Sequence, residues 1–418
     1  MRKFRVGWVA VLAVIMVTGA APSASGGDAG RYVVVLEAGA DPALVATRHA
    51  RQYGADVSFV YRHALRGYAA VVASNRLAEL RSDAAVASVF ADGRVAIAAQ
   101  SLPTGVDRIE GDSSSTVSGN GSGSVNVAVA VIDTGIDLDH PDLNVAGGVN
   151  CSTGRTFDDG NGHGTHVAGT IGAKDDASGV VGVAPGARLY AVRVLNNAGS
   201  GSFSSVICGI DWVTANASQL GIEVANMSLG GSGSDGTCSS DALHLAICNS
   251  VAAGVTYVAA AGNSSTDFSG FVPAAYNEVL TVTAMADFNG SPGGGAAASC
   301  RSDVDDTAAD FSNFTTLGSS DEGHTIAAPG VCIESTWKRG GYETISGTSM
   351  ASPHVAGTAA LCLATGGCGG SPASVIAKLR TDAAAQPASY GFLGDPDNPI
   401  VTRRNTLYYG YLVHAGGY

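Results

Sequence analysis

Residues 125–132, with the sequence VNVAVAVI, form an apolar run rich in β-branched side chains. Such a run is typical of a strand that is buried on both faces of a sheet. Further strand candidates are residues 188–194, 224–228, 256–260 and 279–284, and helix candidates between and after them are residues 163–173, 204–217, 241–253 and 349–364. This alternation predicts an α/β domain, with a parallel sheet and helices on both of its faces.

A smaller unit precedes this domain, at residues 31 to about 97. Its strand candidates are residues 32–36, 67–72, 86–90 and 94–97, and its helix candidates are residues 42–53 and 75–83. In the first helix, the spacing of Leu44, Val45 and His49 predicts that these side chains face the core. The pattern predicts a small α+β sandwich. Residues 111–124 are mostly Gly, Ser, Asp and Asn, which predicts a surface loop.

The composition favours a folded protein that does not bind nucleic acid. The chain of 418 residues is 45% hydrophobic and 14% charged, with a formal net charge of −13. A low charged fraction is typical of a globular chain rather than a disordered one. Nucleic-acid phosphates are bound by an excess of Lys and Arg, which this chain lacks.

Residues 1–24 have the pattern of a secretory signal peptide. Arg2, Lys3 and Arg5 precede the apolar residues 6–17, and small residues follow, including Ala24. The apolar run is shorter than the ~20 residues that cross a bilayer, which disfavours the alternative of a membrane anchor. We therefore expect a secreted, extracellular protein without membrane attachment after removal of the signal.

The cysteine content agrees with export. The eight cysteines are Cys151, Cys208, Cys238, Cys248, Cys300, Cys332, Cys362 and Cys368. An even number in an exported chain predicts disulfides, although the sequence leaves their connectivity open. Short separations favour Cys238–Cys248 and Cys362–Cys368, which leaves Cys300–Cys332 and Cys151–Cys208. A zinc site is the alternative, and the absence of a Cys-x-x-Cys pair disfavours it.

A carboxylate stands directly after the apolar run, in residues 129–136, VAVIDTGI. Asp133 would therefore lie at the carboxyl end of a buried strand, where open α/β sheets place their active sites. The alternative is an aspartate that caps the turn before Gly135.

A histidine follows a glycine-rich turn in residues 159–170, DGNGHGTHVAGT. His163 would open a helix, and an imidazole can accept and return a proton near neutral pH. His166 is the competing candidate. It lies one turn deeper in the helix, so we expect it to pack internally.

A serine lies at the predicted start of the last helix, in residues 347–357, GTSMASPHVAG. Ser349 would be a nucleophile whose backbone amide also stabilises developing negative charge. An ordinary helix cap is one alternative, and Ser352 and His354 are competing candidates. Pro353 is expected in the first helical turn, where proline is tolerated.

Together, these three motifs resemble the signature motifs of the subtilase family, over about residues 125–364. The resemblance implies a subtilisin-like fold and a secreted serine endopeptidase that hydrolyses peptide bonds through an acyl-enzyme. Asp133, His163 and Ser349 would form its triad, and residues 100–418 would be the peptidase domain.

Further segments resemble other parts of the family's active site. Residues 260–264, AAGNS, resemble the oxyanion block, which implies that Asn263 donates its side-chain amide. Residues 226–231 and 199–202 resemble the two substrate-binding strands. The implied substrate-binding residues are Ser228, Leu229, Gly230, Gly199, Ser200 and Gly201. The floor of the specificity pocket is expected within residues 267–276, with the family's preference for large apolar side chains.

The first unit, residues 31–99, resembles an inhibitor-type propeptide of the same family. This implies an autoprocessed precursor whose own propeptide aids folding and acts as an intramolecular inhibitor. We expect cleavage between Ile97 and Ser101, a monomeric enzyme, and proteins or peptides as substrates.

The resemblance also implies a structural calcium site at residues 174–180, KDDASGV. Asp142 and Asp176 would supply side-chain oxygens, and Lys174, Ser178 and Val180 would supply backbone carbonyls. Ca²⁺ takes six to eight oxygen ligands, which suits this set. A solvated acidic turn is the alternative. No redox or nucleotide cofactor is expected.

Two other functional classes remain as alternatives. One is a catalytically silent, secreted binding protein on the same fold, because fold alone does not imply activity. The other is a peptidase inhibitor formed by the first unit. The presence of all three motifs and of Asn263 favours the enzyme.

Overall fold

The computed structural model describes residues 29–92 and 100–418. By its internal contacts the chain divides into two compact units, Met1–Ile97 and Ala98–Tyr418. The signal peptide predicted at residues 1–24 and the strand predicted at residues 94–97 lie outside the described residues. Within the described ranges, no helix is long and apolar enough to cross a membrane.

The first unit consists of two helices and an antiparallel sheet. Its elements are β1 (Ala29–Leu36), α1 (Pro42–Tyr53), β2 (Asp56–Tyr61), β3 (Gly67–Ala73), α2 (Ser74–Arg81) and β4 (Val86–Ala91). The strand order is β2-β3-β1-β4, and all neighbours are antiparallel. β2 was not predicted, because its exposed Phe59 and Val60 break the alternation of polar and apolar residues.

Helix α1 begins and ends at residues that suit a helix terminus. Asp41 accepts hydrogen bonds from the amides of Ala43 and Leu44, and Gly54 closes the helix in the left-handed conformation. Val45 and His49 face the core as predicted. The prediction for Leu44 was wrong, because its side chain is 73% exposed. Leu44 directly precedes Val45, and the helix turns about 100° per residue, which carries Leu44 out of the buried stripe.

The second unit is built around an eight-stranded sheet. Its elements are α3 (Thr104–Arg108), β5 (Ala128–Asp133), β6 (Val145–Asn150), α4 (His163–Gly172), β7 (Arg188–Arg193), α5 (Phe203–Leu220), β8 (Ile222–Met227), β9 (Gly231–Ser232), α6 (Ala242–Ala252), β10 (Thr256–Ala260), β11 (Phe271–Val272), β12 (Val279–Ala286), β13 (Thr307–Ala308), β14 (Thr315–Thr316), β15 (Thr325–Pro329), β16 (Ile333–Trp337), β17 (Gly341–Ile345), α7 (Thr348–Ala364), α8 (Pro372–Ala384) and β18 (Leu407–Tyr408). The strand order is β13-β12-β10-β8-β5-β7-β6, with β15 also pairing with β12.

The α/β architecture is confirmed. Every pairing among the seven long strands of this sheet is parallel, and only the short β13 is antiparallel. Val129 and Val131 of β5 point into the core on the side of α4, α7 and α8, whereas Ala130 and Ile132 point into the core under α5 and α6. This two-residue alternation explains why both faces of β5 are apolar.

Four disulfides use all eight cysteines. They join Cys151 to Cys208, Cys238 to Cys248, Cys300 to Cys332, and Cys362 to Cys368. Cys238 and Cys248 also lie near His244 and Glu278, with all four ligand atoms within 4.8 Å of one another. Because the two sulfurs are bonded to each other, they are not available as thiolate ligands.

Candidate active site

Asp133 and His163 form a hydrogen-bonded pair at the carboxyl end of β5. His163 Nδ1 lies 2.8 Å from Asp133 Oδ1, and the Thr134 amide donates to the same oxygen at 2.7 Å. Asp133 is fully buried, whereas the His163 side chain is 26% exposed. Because a carboxylate only accepts hydrogen bonds, Nδ1 carries the proton and Nε2 is the basic nitrogen of the neutral ring.

The surroundings distinguish His163 from the other two histidines in the motifs. Burial lowers the pKa of His163, but the negative charges of Asp133 and Asp159 outweigh it, so the pKa is raised above its usual 6.5. Burial lowers the pKa of His166 to about 3, and its Nε2 donates to the Ile333 carbonyl at 2.9 Å. Burial likewise lowers the pKa of His354 to about 4. Both therefore stay neutral near physiological pH.

Asp159 organises the first turn of the helix that carries His163. Its Oδ1 accepts from the amides of Asn161 and Gly162 at 2.8 and 2.9 Å, and its Oδ2 accepts from the Thr165 amide at 3.0 Å. The Thr165 amide lies in the first helical turn, where amides have no partner within the helix, and Asp159 supplies that partner. The other two bonds hold the turn that precedes the helix. This role was not predicted from the sequence, although an acidic residue just before a helix is a recognisable capping signal.

A glycine lets α4 come close to the end of β5. A Cβ at Gly164 would overlap the Gly135 carbonyl oxygen and would lie 3.1 Å from Asp133 Cβ. The Gly164 amide instead donates to Thr134 Oγ1 at 2.9 Å. This close approach brings the imidazole of His163 within hydrogen-bonding distance of Asp133.

Ser349 is the second residue of α7 and is tied to the segment after β8. Its Oγ donates to the Ser228 carbonyl at 3.2 Å, and Ser228 Oγ donates to the Ser349 carbonyl at 2.8 Å. The expectation for Pro353 was wrong: it is the sixth helical residue, in the second turn. Because proline has no N–H, Pro353 leaves the Ser349 carbonyl without its usual helical donor, and Ser228 takes that place.

Ser352 supports the site and is not accessible as a nucleophile. It is fully buried, and its Oγ donates to Asn226 Oδ1 at 2.6 Å. Asn226 Nδ2 in turn donates to Ser228 Oγ at 2.9 Å. This chain of hydrogen bonds orients the Ser228 hydroxyl toward the Ser349 carbonyl.

Thr348 orients the side-chain amide of Asn263. The Thr348 amide and hydroxyl donate to Asn263 Oδ1 at 2.8 and 2.9 Å, and the hydroxyl accepts from the Gly262 amide at 3.0 Å. These bonds occupy the amide oxygen and leave Nδ2 as the free donor. Asn263 Nδ2 and the Ser349 amide nitrogen lie 3.4 and 3.6 Å from one point, the Cβ position of Gly347. Thr348 was not predicted as a site residue from the sequence.

A cavity of about 670 Å³ adjoins His163. All six predicted substrate-binding residues line it: Gly199, Ser200, Gly201, Ser228, Leu229 and Gly230. Residues 199–202 form a loop rather than the expected strand, and residues 229 and 230 lie between β8 and β9 without joining either pairing. Such backbone can pair with an added extended peptide.

The predicted calcium ligands come together, and Gln100 joins them. Asp142 is buried, its Oδ2 accepts from the Val180 amide at 2.9 Å, and its Oδ1 has no hydrogen-bond partner among the described residues. Gln100 Nε2 lies 2.8, 3.5 and 3.4 Å from the carbonyl oxygens of Lys174, Ser178 and Val180. Asp176 is exposed, and its Oδ1 accepts from Ser178 Oγ. Gln100 was missed because it lies 74 residues from the nearest part of the loop.

Comparison with known proteins identifies the family. The model of the Subtilase family matches residues 124–397. The chain belongs to the subtilase family. It is 42% identical to subtilisin DY of Bacillus licheniformis over 270 residues, which cover 63% of this chain and 85% of the relative. It is 41% identical to subtilisin E of Bacillus subtilis (strain 168) over 301 residues, which cover 71% of this chain and 70% of the relative.

A solved structure agrees with this assignment. The crystal structure of a cold adapted subtilisin-like serine proteinase matches with a TM-score of 0.54 and 33% identity, over 75% of this chain and 97% of that one. This subtilase is therefore a serine endopeptidase, and its substrates are proteins or peptides.

Proposed function

We propose that this subtilase is a secreted endopeptidase that cleaves peptide bonds through an acyl-enzyme, with Asp133, His163 and Ser349 as its triad. The observation that carries the proposal is the 2.8 Å hydrogen bond between Asp133 and His163 beside the cavity. Ser228 lines the same cavity and exchanges two hydrogen bonds with Ser349. The base therefore lines this cavity, and the nucleophile is hydrogen-bonded to a residue that lines it.

Proton transfer follows from the protonation state of His163. A serine hydroxyl is a weak nucleophile, so a base must take its proton during attack. Nε2 of His163 accepts this proton and returns it to the leaving amine. Asp133 keeps the proton on Nδ1 and stabilises the imidazolium that forms. Before attack, the Ser349 hydroxyl turns from the Ser228 carbonyl toward His163.

The oxyanion of the tetrahedral intermediate would be bound by Asn263 Nδ2 and the Ser349 amide. Both donors lie close to Gly347, and Thr348 holds the Asn263 amide in the donating orientation. Loss of one such donor raises a barrier by about 3–4 kcal/mol. Water then attacks the acyl-enzyme in the same geometry, and His163 acts as base again.

Labelling and turnover together test the triad. A sulfonyl fluoride should add one group to the wild-type protein and none to Ser349→Ala, as read by intact mass. Ser349→Ala should also lose casein hydrolysis by a factor on the order of 10⁶ in rate. Ser352→Ala is the matched control and should remain labelled. A folded wild-type protein that is neither labelled nor active would instead be the silent binding protein.

We also infer an exported, autoprocessed precursor. The four disulfides favour an oxidising compartment, and the first unit is compact by itself. Residues 1–24 would be the signal peptide, residues 31–99 the inhibitory propeptide, and residues 100–418 a monomeric enzyme. N-terminal sequencing of the secreted protein should find a start between Ile97 and Ser101. The Ser349→Ala protein should accumulate uncleaved. If it is still cleaved although no other protease has been added, autoprocessing is contradicted.

Structural calcium is the metal that these residues fit. Asp142 Oδ1 and Gln100 Oε1 are buried oxygens without partners among the described residues. The carbonyl oxygens of Lys174, Ser178 and Val180 converge on the same Gln100 amide, and Asp176 adds a carboxylate to the loop. A ligand set that consists only of oxygen atoms suits a hard cation such as Ca²⁺. Bound calcium would join Gln100 to the loop and stabilise the fold, without a role in the chemistry.

A further inference from the structure

The Phe271 ring fills the gap between two backbone segments of the active site. A Cβ at Gly230 would lie 2.5 Å from Phe271 Cζ, and a Cβ at Gly262 would lie 3.1 Å from Phe271 Cε1. Carbon atoms in contact are about 3.5–4.0 Å apart, so a side chain at Gly230 would clash with the ring and one at Gly262 would crowd it. One ring edge therefore touches both the segment after β8 and the segment before Asn263.

Phe271 is held in this place from two sides. Its strand β11 pairs with β9, with Phe271 opposite Ser232, and its carbonyl accepts from the Ala275 amide at 2.9 Å. Its side chain packs against a buried cluster of Ala261, Phe268 and Ala274. Backbone pairing and apolar packing together leave the ring little freedom to move aside.

Under the proposed function, this gap is also where one substrate side chain would go. Under the proposed function, the attacked carbonyl lies between Ser349 and the Asn263 amide. The residue that owns this carbonyl, the acyl residue, would pair with the backbone of residues 229 and 230. Its side chain then enters the space between this segment and residues 261–263. The 670 Å³ cavity is a different space, because Gly262, Asn263 and Phe271 do not line it.

We propose that Phe271 restricts the acyl residue to small side chains such as Ala, Ser and Gly. The proposal rests on the proposed function and names its substrate class. It departs from the large apolar preference that the family resemblance implies. The ring is only partly buried, so as the floor of such a pocket it would let a methyl group make contact, whereas a phenyl group would need the space that the ring occupies.

Matched chromogenic peptides test this proposal. The substrates are succinyl-Ala-Ala-Pro-Xaa-p-nitroanilides in which Xaa is Ala or Phe. The wild-type enzyme should have the higher kcat/KM for Ala. Phe271→Ala should raise the Phe-to-Ala ratio of kcat/KM by at least about tenfold, because one methylene alone changes such ratios by roughly 10–200-fold. Leu317→Ala removes an exposed side chain elsewhere and should leave the ratio unchanged.

Stated contradicting outcomes, a fallback variant and a binding measurement keep the test decisive. A wild-type preference for Phe, or a ratio unchanged in Phe271→Ala, would overturn the proposal. Phe271→Leu is the fallback if the alanine variant does not fold, and it should shift the ratio in the same direction. If the folded wild type hydrolyses neither these peptides nor casein, the proposed function fails instead. In that case, calorimetry measures the affinity of the folded protein for the two product acids, succinyl-Ala-Ala-Pro-Ala and succinyl-Ala-Ala-Pro-Phe. Tighter binding of the acid that ends in Phe would overturn the inference.

Discussion

Ser228 and Ser349 exchange two hydrogen bonds, one from each hydroxyl to the carbonyl of the other residue. The distances are 2.8 Å from Ser228 Oγ and 3.2 Å from Ser349 Oγ. Pro353 makes the first bond possible because it lacks the amide that would otherwise occupy the Ser349 carbonyl. The segment that would pair with substrate is thereby joined to the residue that would attack it.

The pH dependence of activity should follow His163. Because the nearby carboxylates raise its pKa above 6.5, the base form is lost below that pKa, and kcat/KM should fall with decreasing pH along a limb centred above 6.5. Asp133→Asn should move the limb to lower pH, because it removes the charge that raises the pKa, and should reduce kcat by roughly 10⁴. A wild-type limb below pH 6.5 would contradict this assignment.

Removal of the Thr348 hydroxyl should slow turnover by misorienting Asn263. Thr348→Val keeps the backbone bond to Asn263 Oδ1 but loses the hydroxyl bond. We expect kcat to fall by less than the roughly 10²–10³ that follows loss of a whole oxyanion donor, with little change in KM. In an Asn263→Ala background the same substitution should have almost no effect. Equal losses in both backgrounds would mean that Thr348 acts elsewhere.

His166→Ala should destabilise the protein without affecting the chemistry. The imidazole is fully buried and donates to the Ile333 carbonyl, so its loss leaves a buried acceptor unpaired at a cost of about 1–3 kcal/mol, in addition to a cavity. Chemical denaturation should show the lower stability, and kcat/KM below the transition should stay near the wild-type value. His163→Ala is the matched comparison and should show the reverse pattern.

Calcium removal should lower the melting temperature. A ligand that binds only the folded state stabilises it by mass action. In the Ser349→Ala protein, which cannot digest itself, EDTA should lower Tm and added Ca²⁺ should restore it. Asp142→Ala combined with Asp176→Ala should abolish the difference, and Gln100→Ala should reduce it. An EDTA-insensitive Tm, with no calcium found by elemental analysis, would leave the loop as a solvated acidic turn.

Local patterns in the sequence were enough to predict the α/β architecture and the candidate catalytic side chains. The alternation in β5 and the glycine-rich turn before His163 are local signals, because strand period and helix caps depend on neighbours in the chain. The bounds of α1 and β10 were predicted to the residue. The strand β6 was not predicted, because its sequence VAGGVN carries two central glycines and ends on a polar residue, which hides the pattern of a strand.

The sequence by itself therefore determined the α/β order of elements and the identity of Asp133, His163 and Ser349 as candidates. Only the tertiary structure decided which distant residues support them. Thr348 contacts Asn263 across 85 residues, Gln100 meets the loop at residues 174–180, and Phe271 lies between Gly230 and Gly262. Each of these contacts depends on how separate strands and helices pack, and no periodicity within one segment carries that information.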